Sequence, residues 1–95
     1  MKPVIWLDRA VQDLMVVGQY IAQRNKQAAY NTLLRIKAAG DSLSLNPNLG
    51  REGRIQDTRE LVITGLPYIL PYRVTGDNIQ ILAVMHTSRK WPEGI

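Results

Sequence analysis

Asn46-Pro47-Asn48-Leu49-Gly50-Arg51-Glu52-Gly53-Arg54 divides this chain into two halves that follow different hydrophobic periods. Pro47 disfavours helical geometry in the residue ahead of it, and the asparagines and glycines around it favour turns. Before the loop, apolar residues recur every three or four positions; after it they alternate. Helices come first and strands follow.

Working back from the loop, Ala29, Leu33, Ile36, Gly40 and Leu43 form one buried stripe of a helix that begins after Lys26 and stops before Pro47. A second stripe, Val11, Leu14, Gly18 and Ile21, marks an earlier helix. Asp8 is placed to cap its start, and Asn25 to take the left-handed conformation at its end. The short link makes the two helices an antiparallel hairpin. Gly18 and Gly40 each cost about 1 kcal/mol relative to alanine, so close approach of the two helices is the expected reason for them. Pro3 to Leu7 reads as a short strand.

Working forward, Arg59–Ile63, Tyr68–Val74 and Ile79–Met85 read as strands. Gly65-Leu66-Pro67 and Thr75-Gly76-Asp77-Asn78 are the turns between them. Pro71 cannot donate to a ladder and marks an edge or a bulge. The expected fold is α+β, in the order β-α-α-β-β-β. A small, mainly antiparallel sheet packs against an N-terminal helical hairpin, as one domain over residues 1–95.

Composition narrows the chemistry. The 95 residues contain no cysteine and one histidine, so thiolate chemistry and a closed Cys/His zinc site are excluded, and no metal or cofactor is expected. No apolar run reaches the roughly 18 residues of a membrane span. Asp8 and Arg9 interrupt any secretory pattern, so a cytoplasmic location is expected, with no membrane partner. The net charge of +4 favours acidic partners. That charge is not concentrated in the stranded half: residues 47–95 hold six basic and five acidic side chains, against six and three in residues 1–46.

Leu49-Gly50-Arg51 with Gly53-Arg54, Arg59-Glu60-Leu61, Tyr68 through Val74, and Met85-His86 with Arg89 resemble the RelE/ParE superfamily of bacterial toxins. The resemblance runs from the first strand to Pro92. It implies a toxin of a type II toxin-antitoxin system, silenced by a cognate antitoxin. RelE-like members cut ribosome-bound mRNA without a metal, using strand lysines and arginines and a residue near the C-terminus. ParE-like members poison DNA gyrase.

Where the resemblance implies an arginine after the strand tyrosine for a nuclease, this chain has Ile69. Glu60 and Val62 stand where lysines are implied, and Thr87 and Ser88 follow His86 in place of a basic pair. The ending from His86 to Pro92 resembles the ParE branch, so gyrase inhibition is the expected activity. The alternatives are an mRNA endonuclease using His86, Arg59, Arg73 and Glu60 or Glu52, and a non-toxic relic that still binds antitoxin.

Each candidate residue has two readings. His86 is a general acid, or it bonds a loop at the sheet's end. Arg59 and Glu60 point to opposite faces of a strand; they hold an anionic target, or join an ion-pair network with Arg73. Arg51 and Arg54 contact a target or antitoxin, or are simply solvated. Arg89, Lys90 and Trp91 form a tail that anchors in a partner, or folds back on the sheet. Tyr20 and Tyr30 sit at the core margin or face the antitoxin.

Overall fold

The computed structural model describes residues 1–88. Its elements run β1 (Val4–Trp6), α1 (Asp8–Ala22), α2 (Lys26–Asp41), a 3₁₀ turn (Ser42–Ser44), β2 (Arg51–Glu52), β3 (Arg59–Val62), β4 (Tyr68–Val74), β5 (Ile79–Ile81) and β6 (Met85–His86). The strand order is β1-β5-β4-β3-β2, with β6 on the early part of β4. Only the β1–β5 pair is parallel. The α+β order expected from the sequence is present, with β2 as a short addition and the last expected strand in two pieces.

Register sorts the side chains. Arg59 lies opposite Tyr72, Leu61 opposite Leu70, and Tyr72 opposite Ile81, so these share one face. Leu61, Leu70, Tyr72, Ile79 and Ile81 of that face pack with Ala10 of α1, Ile36 of α2 and Leu43 in one core. Glu60, Ile69, Pro71, Arg73 and Met85 belong to the other face.

Pro71 produces a bulge. Its carbonyl accepts from the Leu82 N–H at 2.8 Å, so its own nitrogen, which has no proton, faces the same neighbour. The register passes from Tyr72↔Ile81 to Ile69↔Met85, which sets Leu82, Ala83 and Val84 against Leu70 and Pro71. The strand expected over Ile79–Met85 is therefore split into β5 and β6. Val84, released from the ladder, donates its N–H to the Asp13 carboxylate of α1 at 3.0 Å. A helix side chain thus completes the sheet where proline breaks it.

The helices correct three expectations. Leu7, not Asp8, is the N-cap of α1; Asp8 is the first helical residue and gives no side-chain cap, though its charge suits the positive helix end. Asn25 is not left-handed but extended, with φ −158°, and its side chain caps α2 by accepting from the Ala28 N–H. Within α1 the core-facing stripe is the buried Ala10 and Gly18 with the partly buried Leu14 and Val17, while Val11 lies 43% exposed.

The glycines also divide. A β-carbon on Gly18 would approach Leu33 of α2, as close helix packing requires. One on Gly40 would strike the Trp6 ring of β1 and Ile81 of β5 instead. Gly40 therefore admits an indole from the sheet rather than the partner helix. That indole is held by a bond from Trp6 Nε1 to the Asp41 carboxylate.

Candidate functional site

The loop that divides the sequence is fastened at both ends of its basic stretch. Tyr72, fully buried in central strand β4, accepts the Gly50 N–H and donates its hydroxyl proton to the Pro47 carbonyl, both at 2.8 Å. A β-carbon on Gly50 would stand 2.6 Å from the Tyr72 ring, so only glycine fits there. Arg59, opposite Tyr72, donates to the Gly50 carbonyl at 2.7 Å and toward that of Asn48 at 3.4 Å. Burial pushes the Tyr72 phenol above its usual range, against the pull of the Gly50 N–H and the nearby Arg59 charge.

On the other face Glu60 is 2% exposed. Its carboxylate takes Arg51 at 3.1 Å, the Arg54 N–H at 3.1 Å and the Arg54 guanidinium at 3.5 Å. The arginine side chains stay 57% and 46% exposed, so both remain available to a partner while one buried carboxylate orients them. Thr58 completes the hairpin, accepting the Gly53 N–H at its carbonyl. Asp57 takes φ 63°, a conformation that aspartate tolerates better than most residues.

The ion-pair network expected around Arg59 and Glu60 is present but differently composed. Glu60 engages Arg51 and Arg54; Arg59 reaches backbone carbonyls; Arg73 bonds Gln80 at 2.7 Å. His86 lies elsewhere. It stands opposite Tyr68, edge-on to that ring with centroids 5.8 Å apart, and its Nδ1 receives the Ser88 N–H at 3.2 Å and meets the Ser88 hydroxyl at 2.8 Å. That backbone donor leaves the neutral ring's proton on Nε2.

Tyr68 and Tyr72 are four residues apart, so His86 and Arg59 are separated by about 13 Å along the sheet, as well as by the width of β4. Arg73 and Glu60 are on the opposite face from both. The residues of the expected nuclease set are thus distributed rather than gathered. Ile69, where a nuclease arginine was implied, is 3% exposed. Arg89, Lys90 and Trp91 lie outside the described residues.

Sequence reasoning missed two residues with defined tasks, Tyr72 as the clamp on the loop and Asp13 as the acceptor for the bulge. Pro71 was the available signal for Asp13. Among the described residues no cluster of three or more His, Asp or Glu could hold a metal ion, and no helix is long and apolar enough to cross a membrane.

This arrangement of helical hairpin and sheet has known counterparts. The ParE toxin family of the type II toxin-antitoxin system parDE matches residues 4–91. The chain belongs to the ParE toxin family. Over 92 residues it is 44% identical to Y4kP of Sinorhizobium fredii, whose name carries a provisional toxin assignment, covering 97% of this chain and 95% of that one. It is 37% identical over 89 residues to Toxin RelE2 of Caulobacter vibrioides, covering 94% and 99%. A solved chain of the chromosomal ParDE toxin-antitoxin system of P. aeruginosa superposes with a TM-score of 0.82 at 26% identity, over 90% of this chain and 96% of that one. ParE membership makes this chain a toxin of a type II toxin-antitoxin system, with an antitoxin as its partner.

Proposed function

We propose that this ParE-family toxin acts in the cytoplasm by gripping DNA gyrase and blocking replication until its cognate antitoxin removes it. The observation that carries this reading is the separation of His86 from Arg59, with Arg73 and Glu60 on the opposite face. In-line attack by a ribose hydroxyl needs a base, an acid and cations around one phosphate, within hydrogen-bond reach. Grip needs no such convergence. It needs rigid elements that present anchors, which the clasped loop with Arg51, Arg54 and Arg59 supplies, together with Arg73; the sequence Arg89-Lys90-Trp91 adds side chains of the types that anchor in partners. No cofactor enters this reading.

Purified, folded toxin added to a gyrase supercoiling assay tests it. Inhibition is expected; unimpaired supercoiling at high molar excess overturns it. The 37% identity to Toxin RelE2 favours one second reading, ribosome-dependent cleavage of mRNA. Codon-dependent fragments from translating ribosomes would establish that reading in place of the first.

A further inference from the structure

On the sheet face that bears Arg73, a cleft of about 460 Å³ opens beside the loop of Ile55 to Thr58. It lies at the opposite end of β4 from His86. Arg73 lines it from β4, and Arg9 from the first turn of α1.

Both guanidinium groups are held by one nitrogen and leave the others unspent. Arg73 Nε donates to the Gln80 side-chain oxygen at 2.7 Å, directly across the β4–β5 pair. Arg9 Nε donates to the Asp13 carboxylate at 3.2 Å. The terminal nitrogens of both make no hydrogen bond among the described residues. Gln80 is neutral, so Arg73 keeps its full charge, while Asp13 divides its carboxylate between Arg9 and the Val84 N–H. Two anchored forks of N–H donors lining one cleft match the planar recognition that a phosphate accepts.

The remaining walls ask for more than a phosphate. Leu7, Leu82 and Ile55 give the cleft an apolar side, with Leu82 set in place by its bond to the Pro71 carbonyl. Asp57, at the tip of the loop, forms no ion pair among the described residues. A carboxylate there opposes a bare anion and accepts from a hydroxyl or a ring N–H. An anionic end, a flat apolar body and hydrogen-bond donors describe a nucleotide, and the volume is that of a small-ligand site. The cleft of about 570 Å³ on the other side of the same loop lacks this set. Its Arg59 spends Nη1 on the Asn48 and Gly50 carbonyls, beside Glu52.

We propose that the cleft between Arg9 and Arg73 binds a single nucleotide. Its terminal phosphate lies between the two guanidinium groups, its base against Leu7 and Leu82, and its sugar or base edge donates to Asp57. A free nucleotide and the phosphorylated end of a nucleic-acid strand share this chemistry. Gyrase inhibition is not presupposed, since binding is read on the toxin alone.

Titration calorimetry on the full-length toxin tests it, with the four ribonucleoside 5′-monophosphates, a trinucleotide with and without a 5′-phosphate, adenosine and inorganic phosphate. A monophosphate or the phosphorylated trinucleotide should bind about ten-fold or more tightly than adenosine, inorganic phosphate or the unphosphorylated strand. Binding of the monophosphate identifies a free nucleotide as the source; binding of the phosphorylated strand alone identifies a strand end. Arg73→Gln and Arg9→Gln, with circular dichroism unchanged, should each weaken binding by about ten-fold. Asp57→Asn keeps a residue that tolerates φ 63° and should narrow the gap between nucleotide and inorganic phosphate, because the repelling charge is gone. Amide shifts of residues 55–58 and Leu82 on adding nucleotide to the unaltered toxin keep the proposal testable even if a variant fails to fold.

No binding of any phosphate ester overturns the proposal. So does inorganic phosphate binding as tightly as the nucleotides, or full affinity in the folded Arg73→Gln variant.

Discussion

Tyr72 and Gly50 are bound reciprocally in shape and in hydrogen bonding: the hydroxyl accepts the Gly50 N–H at 2.8 Å, and the ring fills the space a side chain at Gly50 would need. A tyrosine rooted in the central strand thereby fixes the path of an otherwise irregular loop. Tyr72→Phe keeps the ring and removes the hydroxyl, leaving the Gly50 N–H and the Pro47 carbonyl without this partner. The expected loss is about 1–3 kcal/mol, read as a lower urea midpoint at unchanged m-value. An unchanged midpoint would mean that water replaces the hydroxyl at no cost.

The same residue sets an alkaline limit. Its folded-state pKa is raised by burial, so the folded protein holds the phenolic proton more tightly than the unfolded chain does. The stabilisation is fully present below the ordinary tyrosine value of about 10 and is lost as pH rises through the folded value. Tyrosinate absorbance should show a late-titrating step, and Tyr72→Phe should remove it. Persistence of the late step in the variant would assign it to another ring.

Glu60 leads to an asymmetric expectation. Glu60→Gln leaves Arg51 and Arg54, at 57% and 46% exposure, within reach of water, and should cost about 1–2 kcal/mol. Removing both arginines instead strips two cations from a carboxylate 2% exposed, and should cost about 3 kcal/mol. Denaturant melts of the two variants decide the order. A larger loss in Glu60→Gln would show that the loop depends on the negative charge more than the charge depends on the loop.

Gly18 and Gly40 look alike in the sequence and should behave differently. At Gly18 a new β-carbon meets the Cδ1 methyl of Leu33, the far end of a flexible side chain, at 2.8 Å. The helix gains about 1 kcal/mol from alanine, so Gly18→Ala should fall within about 0.5 kcal/mol of wild type. At Gly40 the obstacle is the Trp6 ring, held by Asp41, with Ile81 Cδ1 behind it at 2.8 Å. Gly40→Ala should be destabilising by about 1–2 kcal/mol net, since overpacking exceeds the helix gain. Thermal melts of the two variants make the comparison.

These residues also mark how far the sequence could be read. The change of period at Asn46–Gly53 placed the helices and strands because it reflects burial, which local pattern records directly. Asn25 suits either helix end in the sequence, because one short polar side chain serves both, and only the path of the turn chooses between them. Pro71 announced a disturbance, but the repair by Asp13 joins positions 71 residues apart. The alternation Tyr68, Leu70, Tyr72, Val74 showed that Tyr72 would point inward and said nothing of what its hydroxyl would hold. Likewise Arg59, Arg73, Glu60 and His86 form a plausible set as a list of residue types; register alone distributes them over two faces and both ends of β4.

His86 carries the last expectation. Its ring lies edge-on to Tyr68, with Nδ1 engaged by Ser88 and Arg59 about 13 Å farther along the sheet. An imidazole so placed has no cation of the loop beside it to steady a phosphorane. His86→Ala should therefore leave growth arrest by the induced toxin within about two-fold of wild type, whereas loss of a true general acid costs at least a hundred-fold or so in rate. Growth curves after induction, with matched protein levels, read the difference. If the variant grows freely while remaining folded, the ring takes part in scission, and the ribosome replaces gyrase as the target to pursue.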